Sequence, residues 1–189
     1  CHFNFFSNIR MSSILDAFVV GGGAAGVVCV GHLFDHLPEA SILWADMEGF
    51  KGGRLGKHYT EVPSNTKAKY FFSVLDESRS ISKAESNFHA SSIESSFFAE
   101  LRSLDPEKTC SLSYAAKMIE YLAEGLKQCN DGLECVNERV VSIFRENGVW
   151  KVILENGSVS FTRRVFLCTG SEPLSFSHDS LCEDQILDL

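Results

Sequence analysis

The chain moves through three textures of apolar and polar positions. Short apolar runs end in glycine or an acid: Leu15-Asp16-Ala17-Phe18-Val19-Val20 before Gly21, and Ser41-Ile42-Leu43-Trp44-Ala45 before Asp46. Runs with little polar alternation suit strands covered on both faces, as in a parallel sheet. Between them Val27, Val30, Leu33, Phe34 and Leu37 recur at helical spacing until Pro38, which ends the pattern. Strand, glycine turn, helix and strand within about thirty residues is the size of a βαβ crossover. Such a connection is right-handed and makes its two strands parallel neighbours.

The second texture is mixed. Residues 47–75 carry a glycine doublet, Gly52-Gly53-Arg54, in a segment with few period signals, and residues 76–92 are rich in Ser, Lys and Glu and read as an exposed connection. Two helices are then expected. Ser91 and Glu94 form a capping-box pattern before Phe97, Phe98 and Leu101. Ala115, Ile119, Leu122 and Leu126 share one face of a helix over about Ser113 to Gln128.

The third texture begins at Leu133. Val140–Phe144 leads into Asn147-Gly148, Trp150–Leu154 into Asn156-Gly157, and Val159–Phe161 follows. Asn-Gly favours a tight hairpin because both residues tolerate positive φ, so this predicts a three-stranded antiparallel meander. Arg164–Cys168 is a further buried strand, closed by Thr169-Gly170-Ser171-Glu172-Pro173.

Composition narrows the function classes. The 189 residues carry 17 Lys plus Arg against 25 Asp plus Glu, a formal charge of −8, which argues against a grip on a polyanionic backbone and so against nucleic acid. No apolar stretch of about 18 residues is present, so no membrane span is expected. The seven cysteines are scattered, without a C-x-x-C pair. Neither a disulfide framework nor a metal site is expected, and Cys29 and Cys168 read as small buried hydrophobes in a reducing, cytoplasmic setting. The chain opens without methionine; residues 1–10 read as a disordered or non-native tail, with Met11 as the start.

Gly21, Gly23 and Gly26 satisfy G-x-G-x-x-G. The first glycine of this fingerprint permits a tight turn, the second lets backbone approach a pyrophosphate, and the third lets helix and strand pack closely. The helix that follows offers free N–H groups, those of Ala24 and Ala25 included, carrying about half a positive charge toward an anion. A glycine pattern alone is common. This one follows a strand, opens a helix, and precedes Asp46 at the end of the second strand. There a carboxylate accepts hydrogen bonds from ribose hydroxyls; a solvated loop acid is the competing reading. A carboxylate at this point repels a 2′-phosphate, favouring FAD or NAD over NADP.

With these residues in place the sequence resembles the flavoproteins with two dinucleotide-binding domains, the FAD/NAD(P)-binding oxidoreductases. It is most similar to their FAD-dependent NAD(P)H monooxygenase branch. Three features carry the resemblance: the fingerprint with Asp46, the doublet Gly52-Gly53-Arg54, and the strand ending Cys168-Thr169-Gly170, similar to one that closes a flavin site. The resemblance implies an α/β, Rossmann-like FAD-binding domain over residues 11–175. Its parallel sheet would carry a helical insertion at about 76–130 and a β-meander at about 139–161. It implies that Gly21, Gly23, Ala24, Ala25 and Gly26 line the FAD pyrophosphate and that Asp46 meets the ribose. Gly52, Gly53 and Arg54 would approach the pyrophosphate or ribityl chain, Val140 the adenine, and Thr169 and Gly170 the cofactor; a buried strand threonine is the other reading of Thr169. Residues 176–189 would form a truncated linker toward a missing NAD(P)H domain, and NAD(P)H is a co-substrate only if that domain exists. Hydride would pass from NAD(P)H to FAD, and the reduced flavin would activate oxygen toward an unidentified small substrate.

Other readings stay open. A non-catalytic dinucleotide-binding module, or an inactive fragment, keeps the fold without turnover. A pyridine nucleotide-disulfide oxidoreductase is a lesser alternative: the glutathione-reductase type needs a cysteine pair after the doublet, whereas this chain has Arg54-Leu55-Gly56-Lys57-His58-Tyr59, but the thioredoxin-reductase type keeps its pair in the NAD(P)H domain and stays open. A dehydrogenase with a single NAD site needs neither the doublet nor the Thr169-Gly170 strand. His58 reads as a loop histidine, and no catalytic residue is assigned.

Overall fold

The computed structural model describes residues 14–81 and 96–170. In chain order the elements are β1 (Ala17–Val20), α1 (Ala24–His36), β2 (Ile42–Ala45), α2 (Gly53–His58), β3 (Pro63–Lys67), α3 (Ala68–Ile81) and α4 (Ser96–Arg102). They continue as β4 (Thr109–Ser111), α5 (Leu112–Cys129), β5 (Leu133–Val136), β6 (Val140–Glu146), β7 (Val149–Leu154), β8 (Val159–Thr162) and β9 (Val165–Leu167).

The two apolar runs at the start of the chain pair in parallel, Ala17 opposite Ile42 and Val20 opposite Ala45. They form the centre of a four-stranded parallel sheet ordered β5-β2-β1-β9. All four residues of β2 are buried, as expected of a strand covered on both faces. On one face Ala17, Val19, Ile42 and Trp44 pack with Val27, Val30 and Phe34 of α1 and with Ile119, Ala123 and Leu126 of α5. On the other, Phe18, Leu43 and Ala45 meet Val152 and Leu154. These last belong to the antiparallel meander β6-β7-β8.

The meander's first turn follows the expected chemistry, with Asn147 at φ 51° and Gly148 at φ 85°. In the second turn only Gly157 takes a positive φ, while the Asn156 side chain accepts a hydrogen bond from the Ser158 N–H at 2.8 Å. Here asparagine serves as a turn-bonding side chain, not as a left-handed residue.

Helix α5 is one residue longer at each end than its apolar spacing indicates. Ser111 caps it by accepting from the Ser113 N–H at 3.1 Å, which supplies an acceptor for a free helix-start donor. The exposed connection expected over residues 76–92 is helical as far as Ile81, because α3 continues from Ala68. Its anchor is Phe71, buried with Leu101, Ala115 and Tyr121; polar residues further along need no core to stay helical once that turn is fixed. The Ser91–Glu94 capping box, the 1–10 tail with Met11, and the 176–189 linker lie outside the described residues.

Phe34 is fully buried between α1 and the sheet, whereas Leu167 at the sheet edge is 67% exposed. Phe34→Ala should therefore cost about 3–5 kcal/mol in urea unfolding. Leu167→Ala should stay within about 0.5 kcal/mol of the parent chain.

Candidate functional site

The parallel register brings the carboxyl ends of β1, β2 and β9 to one edge. There the Gly21 N–H donates to the Ala45 carbonyl and the Cys168 N–H to the Val20 carbonyl, each at 2.8 Å. A cleft of about 650 Å³ opens above them, lined by Gly21–Ala25, Asp46, Gly52–Arg54 and Cys168–Gly170. It lies over β1, which has β2 on one side and β9 on the other. Open α/β sheets take their ligands in such a crevice beyond the strand ends.

The first glycine turn is shaped by what it cannot accommodate. A Cβ on Gly26 would stand 1.8 Å from the Gly21 carbonyl oxygen, so only glycine lets α1 come down onto the turn. Trp44 Nε1–H donates to the same oxygen at 2.8 Å. Gly23 differs: a Cβ there meets nothing within 4 Å, so its bare backbone faces open space. Gly23 is also the N-cap of α1, with no capping side chain and no acid in the first turn. The helix start therefore presents its N–H groups without a competing carboxylate, the arrangement that attracts an anion.

The glycine doublet lies directly against this turn. A Cβ on Gly53 would be 3.1 Å from the Gly23 Cα, and one on Gly52 would be 2.7 Å from the Ala116 carbonyl oxygen of α5. Two motifs about thirty residues apart thus form one continuous backbone wall. The bare surface over Gly23, which any side chain would occupy, and the uncapped helix start together fit a dinucleotide pyrophosphate.

Asp46 also holds the protein's own backbone. Its Oδ2 accepts from the Gly22 N–H at 2.7 Å, and its Oδ1 accepts from the Glu48 and Phe50 N–H groups at 2.9 and 3.0 Å. The carboxylate is 9% exposed and ties the glycine turn to the loop after β2. With Oδ1 holding two donors, the free acceptor position is on Oδ2, which leaves room for one further hydrogen bond rather than a bidentate grip. The Asp46 to Glu48 bond is an Asx-turn pattern, a local signal present in the sequence.

Arg54 lines the cleft and is steadied by Tyr59, its Nη2 donating to the phenol oxygen at 3.3 Å. Val140 lies in an adjoining cavity of about 350 Å³, shared with Met47, Glu138 and Arg139 and with Asp46, Thr169 and Gly170. Ala24, Ala25, Thr169 and Gly170 all line the main cleft or its rim. His58 ends α2, is exposed, and also borders the cleft. Met47, half exposed, borders both cavities, and Lys57 pairs with Glu48 at the rim. Sequence patterns gave no signal for these three. Among the described residues no group of three His, Cys, Asp or Glu side chains is placed to hold a metal, and no helix is long and apolar enough to cross a membrane.

Asp46→Ala leaves three buried-side N–H groups without their acceptor, at about 1–3 kcal/mol per unsatisfied group before relaxation. Denaturant unfolding should show a loss of about 3 kcal/mol, and Asp46→Asn should lose roughly half as much because its amide oxygen retains part of the clamp.

The family described as FAD-NAD(P)-binding matches residues 18–172. Monooxygenase AgnR1 of Paecilomyces divaricatus is 34% identical over 167 residues, covering 83% of this chain and 40% of that protein. Among solved structures, OTEMO in complex with FAD and NADP aligns at a TM-score of 0.56 and 19% identity, over 84% of this chain and 26% of that one. An open cyclohexanone monooxygenase aligns at 0.53 and 17%, over 84% and 27%. At these identities the structures share the fold, and this chain spans 40% of the curated relative. The parallel sheet with its fingerprint turn, the meander and the family match agree: the chain belongs to the FAD-NAD(P)-binding family and has a Rossmann-like α/β fold.

Proposed function

We propose that this chain is the FAD-binding part of an NAD(P)H-dependent flavoprotein oxidoreductase of the monooxygenase type, acting on a small substrate. The observation that carries the reading is the convergence of Gly21–Gly26, Gly52–Gly53 and Thr169–Gly170 on one cleft at an uncapped helix start. The name of the relative AgnR1 and the FAD and NADP of the OTEMO complex support the same choice.

The chain's own residues bind and orient. The N–H groups of Ala24 and Ala25 and the Arg54 guanidinium supply positive potential for a pyrophosphate. Gly23 and Gly53 let backbone touch the ligand. Asp46 offers its remaining acceptor position to a ribose hydroxyl and repels a phosphate at that point. Val140 and Met47 border the cavity suited to the adenine, with Thr169 and Gly170 between the two cavities. When bound, FAD would accept a hydride from NAD(P)H and, once reduced, activate oxygen for transfer to the substrate.

Titration of the full chain with FAD, followed by flavin absorbance and fluorescence, tests the reading; saturable one-to-one binding is expected. Gly23→Val projects into the cleft, where its Cβ meets nothing within 4 Å. It should weaken FAD at least about tenfold, or about 1.4 kcal/mol, while folding stability shifts by no more than about 1 kcal/mol. Failure to bind FAD, or binding indifferent to Gly23→Val, overturns the site. FAD retention without NAD(P)H consumption assigns binding to this chain and turnover to a longer one.

A further inference from the structure

Two strongly basic side chains of α2 border the cleft, Arg54 and Lys57, and they are held in different ways. Lys57 is paired with the Glu48 carboxylate, which offsets its charge. Arg54 pairs with no carboxylate among the described residues. Its Nη2 donates to the Tyr59 phenol oxygen at 3.3 Å, and its guanidinium carbon lies 5.9 Å from the centre of the Tyr59 ring. A phenol accepts such a bond as a neutral group. The Arg54 charge is thus anchored without being cancelled. The anchor is itself fixed: Tyr59 ends α2, its N–H donates to the Leu55 carbonyl at 3.3 Å, and its own carbonyl accepts from the Val62 N–H at 3.1 Å. A Cβ on Gly56 would stand 1.9 Å from the Lys51 carbonyl oxygen, so α2 lies directly on the loop before it. With Gly53 against the fingerprint turn, the frame beneath Arg54 is set by backbone packing. The remaining freedom is in the arginine side chain.

We propose that Tyr59 is a positioning residue for the diphosphate: its phenol oxygen holds the Arg54 guanidinium at the cleft before a ligand arrives. The inference rests on the proposed function, which brings a pyrophosphate to the cleft wall that Arg54 lines. An arginine side chain has many rotamers, and ordering it during binding costs affinity. A planar fork already held by one of its donors loses less. One Nη2 hydrogen is spent on Tyr59, and the other guanidinium donors stay available for phosphate oxygens. A carboxylate in place of the phenol would also hold the fork, yet it would oppose the incoming charge, as Glu48 does at Lys57. At the exposed rim water competes for the guanidinium, and the aromatic ring beside it is a weak second attachment. Tyr59 therefore acts through Arg54, and no reacting atom is assigned to it.

The test titrates the parent chain, Tyr59→Phe, Arg54→Ala and the double variant with FAD, followed by flavin fluorescence. Tyr59→Phe keeps the ring, loses the anchoring oxygen, and should weaken FAD about fourfold. Arg54→Ala should weaken it about twentyfold. The double variant should be no weaker than Arg54→Ala alone, because a hydroxyl that acts only through the guanidinium then has nothing to position. Denaturant midpoints of both single variants should match the parent's, since the pair sits at the exposed rim. ADP, which carries the diphosphate without the flavin, should show the same pattern when it displaces FAD. Additive losses in the double variant, a Tyr59→Phe affinity equal to the parent's, or losses seen with FAD but not with ADP each overturn the inference. A parent chain that binds no FAD overturns the proposed function and this inference with it, whereas additivity in chains that do bind overturns this inference alone.

Discussion

The carbonyl of Gly21 is the point on which this fold turns. Helix α1 can pack on the sheet only by bringing Gly26 to within van der Waals range of that oxygen, and the buried Trp44 indole closes it off with a hydrogen bond. A buried carbonyl needs its partner, since a lost one costs more than the bond is worth in water. Trp44 in turn lies edge-on to Phe50 at 4.6 Å, and the Lys127 ammonium stands 4.3 Å from the centre of the Phe50 ring. One oxygen thus connects β1, α1, β2, the loop after β2 and α5.

That connection explains why Asp46 is occupied. The loop from Asp46 to Phe50 must bend back beneath the glycine turn so that Phe50 can reach Trp44, and both Gly49 and Phe50 adopt positive φ there. Two N–H groups of the bend, those of Glu48 and Phe50, and the Gly22 N–H of the glycine turn converge on one carboxylate, a strong acceptor. Under the proposed function the same charge that holds the loop is what a nucleotide would meet at the cleft wall.

Legibility in the sequence followed locality. The β1–α1–β2 unit, the meander and β9 each carry a contiguous signal, and each is found where the pattern indicates. β3 and β4 carry no such signal because neither is apolar: Pro63 pairs with Ser111 and Lys67 with Thr109 across some forty residues, with a break in register between. α3 carries no clear helical period, since it spans the mixed segment before residue 76 and the polar stretch after it. At the site, the fingerprint and doublet were readable as motifs, yet their contact through Gly23 and Gly53 depends on Ala116, far along the chain. The engaged state of Asp46 is likewise a product of register, which no single stretch of sequence encodes.

The seat of Gly52 on Ala116 has a consequence for how such a cleft varies over time. The wall nearest the fingerprint is held by backbone geometry and tolerates almost no change. The part of that wall formed by the doublet rests on the backbone and methyl group of Ala116 in α5, a helix that itself does not border the cleft. Exchange of small residues at that seat would therefore shift the doublet against the fingerprint while every cleft-lining residue stays the same. The domain separates a heritable constant from an adjustable spacer, and drift in the spacer is a route to altered fit that leaves the recognition motif untouched.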